Sequence, residues 1–202
     1  MKTSAVPGIF LTPALLAVIV LGASAVEGQQ TATVNFTERS NWLVGYVAAP
    51  PRQMLGFGAA ATFRTLNGWG FILDGRITTD SPGRDESLLD ISRSAADAMD
   101  VWTLDKDAWS TVTIGIVKGL TPEFAGYFGG GVSWKTAYSR YLDESRERGD
   151  LGHYWVEDEA ESRVYPNVHG GVFFRMGDHL VIQFGGQSAP MGVITGAHLR
   201  VH

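Results

Sequence analysis

Eight residues with charged, imidazole or amide side chains recur at alternating positions along this chain: Arg64, Asp74, Arg76, Lys135, His169, Arg175, Gln183 and Arg200. Each sits among small or polar neighbours while the positions between are apolar, so a period of two puts all eight on one face of extended chain. Facing one another across a closed sheet, they would form an ion-pair and hydrogen-bond network, because unpaired charges in such a space are costly. Their spacing does not suit catalysis. His169 is followed by Gly170 and Gly171, with no serine two positions on, and His153 shares a charged stretch with Ser145 and Glu157 without any pattern that makes a triad. No phosphate-cradling glycine loop, nucleophile elbow or H-E-x-x-H is present. The five histidines lack metal-ligand spacing, so no cofactor or metal is expected.

The elements that must carry these residues are eight stretches of alternating character: 41–49, 54–65, 69–79, 109–119, 124–138, 164–176, 179–188 and 191–202. In the third, Trp69, Phe71, Leu73 and Ile77 share one side while Asp74, Arg76, Thr78 and Asp80 share the other. The seventh sets Leu180, Ile182 and Phe184 against Val181, Gln183, Gly185 and Gln187. Within pairs 2–3, 4–5 and 6–7 the connections are tiny: Leu66-Asn67-Gly68, Leu120 to Glu123, and Gly177-Asp178. The long connections, 80–108 and 139–163, fall on the opposite parity with those near 50–53 and 188–191. An even strand count with short turns on one side and long loops on the other predicts an all-β fold, an eight-stranded antiparallel up-and-down transmembrane β-barrel.

Targeting and composition agree. Lys2, an apolar run over 9–22 and Ala23-Ser24-Ala25 read as a signal peptide over 1–25, followed by a short N-terminal periplasmic segment over 26–40 and the barrel domain over 41–202. Beyond the leader no run is long enough for a spanning helix, so any membrane span must be built from strands. There is no cysteine, hence no disulfide framework or thiolate chemistry. A net charge of −5, one unit more negative without Lys2, argues against a nucleic-acid partner. Trp42, Tyr46, Trp69, Trp109, Phe124, Phe128, Trp134 and Phe174 fall near strand ends or on apolar faces, where interfacial girdles would lie.

Strand count, turn lengths and glycine-rich strands such as 54–63 and 124–134 resemble the small outer-membrane barrels of the OmpA and OmpX type over about 41–202. The final Arg200-Val201-His202 departs from the aromatic ending usual there. The resemblance implies a monomer in the outer membrane of a bacterium with two membranes. Its polar interior would be plugged, its partners outer-membrane lipid and either lipopolysaccharide or a surface partner reached through the loops, and its role membrane integrity or adhesion without catalysis. The charged stretch 139–163 is expected to be a solvated loop. Residues 86–102, with Leu88, Leu89, Ile91, Ala95, Ala96, Met99 and Val101, are compatible with a short amphipathic helix at the barrel mouth. Three other readings stay open: a soluble lipocalin-like binder of an apolar ligand, a lipid A-modifying barrel enzyme, and a narrow pore.

Overall fold

The computed structural model describes residues 35–79, 81–82, 87–148 and 152–201. The expected leader, residues 26–34, Asp80, Asp150 and His202 lie outside them. Nine strands form: β1 (Asn41–Ala49), β2 (Met54–Phe63), β3 (Trp69–Thr78), β4 (Leu88–Leu89), β5 (Val101–Gly119), β6 (Phe124–Leu142), β7 (His153–Met176), β8 (Leu180–Ser188) and β9 (Met191–Val201). Eight of them make a closed antiparallel ring, each pairing with its sequence neighbour once β4 is set aside; β1 closes on β9 from Trp42↔Val201 to Ala48↔Thr195.

Side-chain parity follows the sequence alternation. Ile114 is 64% exposed and Phe128 is 62% exposed on the outside, whereas Asp74, Arg76, Thr113 and His169 point inward and are buried. An apolar exterior around a polar interior suits lipid and would be unfavourable in water, so the ring is a transmembrane barrel. Strands β1, β2, β3, β8 and β9 contain 9 to 11 residues, the length a tilted strand needs to cross a bilayer. At the short-turn rim Trp42 meets Phe63 and Phe71 edge-on at 5.5 and 5.8 Å, Phe124 packs on Phe174 at 4.9 Å, and the Lys118 ammonium sits 5.0 Å over Trp69. Trp109, expected in an interfacial girdle, instead points inward near the opposite rim and packs on Tyr165 at 5.4 Å. Its odd position in β5 shares the parity of Thr111 and Thr113, and parity overrides residue type.

The largest departure from expectation is strand length. β5 starts at Val101 rather than 109, β6 runs to Leu142 rather than 138, and β7 starts at His153 rather than 164. A three-stranded sheet therefore stands beyond the barrel wall, and much of the expected loops 80–108 and 139–163 is strand. The alternation fails there for two reasons: no lipid face enforces it, and register shifts at Trp102/Leu104 and Lys135/Ala137 break the period of two. In β2 the strand ends at Phe63, because Arg64–Leu66 forms a 3-10 turn closed by Asn67 at φ 52°. The amphipathic segment yields only α1 (Arg93–Met99), capped by the Ser92 hydroxyl accepting from the Ala95 amide, with β4 ahead of it pairing in parallel with Trp155 and Val156.

A charge on the lipid-facing midline tests this arrangement. We expect Ile114→Arg to lower unfolding stability in vesicles by about 2–4 kcal/mol, measured by guanidinium titration. A change near zero would place this face away from lipid.

Candidate functional site

Mid-lumen, β3 supplies Asp74 and Arg76 two residues apart on one face, with Arg76 Nη2 2.9 Å from Asp74 Oδ1 and both side chains fully buried. β7 brings His169 across the ring, its Nδ1 3.5 Å from Asp74 Oδ2. β8 and β9 contribute Gln183 and His198, and His198 Nε2 donates to Gln183 Oε1 at 2.7 Å. Small residues make the room. A Cβ on Gly129 would lie 2.5 Å from His169 Nε2, one on Gly185 2.1 Å from the Tyr127 hydroxyl, and one on Gly196 2.9 Å from both Gln183 Oε1 and His198 Nε2. The interior is thus a fitted set of large polar side chains lying over glycines.

Of the eight sequence-derived positions, Asp74, Arg76, His169 and Gln183 share this buried zone. Lys135 sits higher, at the extended rim, 3.1 Å from Asp107. Arg175 and Arg200 point inward but are half-buried near the short-turn rim. Arg64 does not join the interior: it is exposed on the 3-10 turn, because the strand carrying its parity has already ended. Tyr127 and His198 belong to the zone and were not among the eight. Their parity, shared with Gly129 and Gly131 in β6 and with Gly196 in β9, was the available signal.

Among the described residues, side chains or backbone reach into the lumen at both ends. At the short-turn end Phe36 is fully buried among Leu43, Ala60, Ile72, Val117 and Ala125. Asn41 Nδ2 ties that segment down by donating to the carbonyls of Asn35 and Arg39 at 2.7 and 2.9 Å. Phe36, within the short periplasmic segment expected over 26–40, therefore packs into the barrel floor, while Glu38, Arg39 and Ser40 stay exposed. Gly68 and Gly119 admit it, since a Cβ there would lie 2.7 and 2.1 Å from the Phe36 carbonyl. At the other end the β8–β9 turn folds over the mouth. Ser133 Oγ donates to the Ala189 carbonyl, and Asn167 Oδ1 accepts from the amides of Ser188 and Ala189 at 3.2 and 3.0 Å.

Above the mouth, α1 lies on the protruding sheet. Ala96 packs on Tyr141, Tyr154 and Val156, with Leu89 and Ile91 beside them. Tyr141 donates to Asp97 at 2.5 Å, Tyr154 to Asp100 at 2.8 Å, and Arg93 pairs with Asp158 at 2.6 Å. Burial, reinforced by the Asp97 carboxylate, pushes the Tyr141 hydroxyl up to about 12, so it remains a donor at neutral pH. Burial would raise Asp158, but the Arg93 hydrogen bond and charge, with the amides of Glu161 and Ala160, outweigh it and hold this carboxyl low. Its contribution to the clamp is complete above the ordinary carboxylate range and is lost as pH falls through the lowered value. His153 opens β7 opposite Leu142, while the Ser145 hydroxyl is committed to Asp143 at 2.6 Å. Among the described residues no cluster of three metal-ligating side chains occurs.

No family model and no curated protein matches the chain. Among solved structures it is similar to Ail, the attachment invasion locus protein of Yersinia pestis, at 15% identity over 80% of this chain and 93% of that one, TM-score 0.42. The same protein in complex with the heparin analogue sucrose octasulfate gives 14% identity, 80% and 94% coverage and a TM-score of 0.43. Its backbone structure in a phospholipid bilayer nanodisc, where it is described as an outer membrane protein, gives 16%, 81%, 99% and 0.42.

The buried pair offers a direct test. We expect Asp74→Leu alone to destabilise the barrel by about 3–5 kcal/mol, since it strands a buried guanidinium, and Asp74→Leu with Arg76→Met to recover most of that loss. A loss in the double variant equal to the sum of the losses in Asp74→Leu and Arg76→Met alone would mean that the two charges act independently.

Proposed function

We propose that this chain is an integral outer-membrane protein, non-enzymatic and non-conducting, that presents its protruding sheet outside the cell for adhesion to a surface partner. The observation that carries this reading is the contrast in strand length. Five strands stop where the bilayer would stop, whereas β5, β6 and β7 run to 19, 19 and 24 residues. Ordered structure maintained past the membrane argues for a task there, which anchoring alone would not require. In this orientation the short turns and the termini face the periplasm, and outer-leaflet lipid, including lipopolysaccharide, surrounds the base of the sheet. The protein acts as a monomer, since the ring closes within one chain.

A sealed lumen is supported by the buried Asp74, Arg76, His169, Gln183 and His198, by Phe36 below and by Ala189 above. A soluble carrier fits less well, because Leu55, Phe57, Ile114, Ile116 and Phe128 would face water. Catalysis has least to stand on: the pair nearest a catalytic dyad, His169 with Asp74, is buried in the barrel, out of a lipid substrate's reach.

Two measurements test the proposal. Refolded protein in a planar bilayer should give no discrete conductance steps, and regular steps would establish a pore instead. Cells expressing the chain should adhere to an extracellular-matrix-coated surface more than cells expressing a variant with residues 101–106 and 139–157 removed and short turns in their place, provided both give the heat-dependent gel mobility of a folded barrel. Equal adhesion would reject the role given to the sheet.

A further inference from the structure

The segment from β4 to α1 is joined to the protruding sheet in a different way from everything else in the molecule. Neighbouring barrel strands share seven or more paired residues, whereas β4 pairs through Leu88 and Leu89 alone. Of the seven residues of α1 only Ala96 is buried. What holds the segment is polar. Arg93 reaches Asp158 at 2.6 Å and Asp105 at 4.0 Å; Arg148, from the β6–β7 connection, reaches Asp100 at 3.0 Å and Asp143 at 4.0 Å; the two tyrosine hydroxyls bind Asp97 and Asp100. The arginine side chains are 38% and 34% exposed, so mobile ions can compete for both clamps. Beneath lies an apolar and aromatic surface, with Tyr141 and Tyr154 stacked at 5.6 Å beside Val156.

We propose that residues 88–99 form a strap, closed by the Arg93 and Arg148 clamps and opened by ionic strength, that covers and uncovers the Tyr141–Tyr154–Val156 face above the barrel mouth. Packing of one fully buried alanine, the half-buried Leu89 and Ile91 and two strand pairs is too little to hold the helix in place once the charges are screened. The sheet beneath does not depend on the strap, because β5, β6 and β7 are laddered to one another throughout. Opening would therefore expose a preformed surface at the cost of local order only.

Because the chain has no cysteine, Ala96→Cys creates a unique thiol at a fully buried position. Met99→Cys, at an exposed position of the same helix, serves as the reference. Full-length protein refolded into phosphatidylcholine vesicles would be labelled with an uncharged maleimide at fixed pH, and the ratio of the two rates followed from about 0.05 to 1 M sodium chloride. Loss of both clamps should raise the ratio by about fivefold. Arg93→Gln with Arg148→Gln should raise it to the same level at low salt and leave little further response. A ratio constant within about twofold across salt and across these variants would overturn the proposal and make the strap a fixed part of the sheet. If Ala96→Cys fails to fold, as judged by heat-dependent gel mobility, tryptic cleavage after Arg93 in the unaltered chain replaces it. Cleavage that accelerates with salt relative to an unstructured control peptide supports opening, and unchanged relative cleavage overturns it.

Discussion

A bilayer offers no hydrogen-bond partner to a peptide group, and the rest of this structure depends on that constraint. An open sheet would leave one row of amides and carbonyls bare in hydrocarbon, so β1 must find β9 and the ring must close. Once it closes, the outward parity meets lipid and has to be apolar, while the inward parity meets a lumen only a few side chains wide. From Leu55 and Phe57 through Ile114 and Phe128 to Leu199, the exterior is what such a solvent requires.

The lumen then has to be filled without leaving isolated charges. Asp74 and Arg76 supply opposite charges from adjacent inward positions of one strand, and His169 and the Gln183–His198 pair extend the polar zone to the other side of the ring. These side chains are large for the space, and the glycines of β6, β8 and β9 are its complement: where Tyr127 and His169 lean across, a Cβ on Gly185 or Gly129 would collide. The high glycine content of the strands is thus a packing requirement here, although glycine is a poor strand former elsewhere.

Beyond the bilayer the constraint relaxes, and the sheet has edges, β5 on one side and β7, covered by β4 only at Trp155 and Val156, on the other. It keeps them unattractive to other strands. Along β5 the edge carries Lys106 between Asp105 and Asp107, with a register shift beside Thr103; along β7 it carries Glu157, Glu159 and Glu161, a second shift and Pro166. A partner is therefore more readily met by side chains on a face or at the tip than by an added strand. Met99, Val101, Trp102 and Leu104 form an exposed apolar run at that tip.

Strand number, turn positions and the inward or outward sense of each wall residue were legible in the sequence, because lipid on one side and a narrow lumen on the other impose a period of two along every membrane-crossing segment. The same period puts Asp74, Arg76, His169 and Gln183 on one interior face. Beyond the lipid no single apolar face is imposed along the strand, so the period carries no such information, and the sequence could not tell the extensions of β5, β6 and β7 from loops. The structure decided that Arg64 leaves the interior, since a 3-10 turn ends its strand, and that Phe36 packs into the short-turn end of the lumen. It also decided that α1 is held by its own Arg93 reaching Asp158 and by Arg148 reaching Asp100. The placements of Phe36 and α1 depend on contacts between segments far apart in the chain, and local alternation holds no record of such contacts.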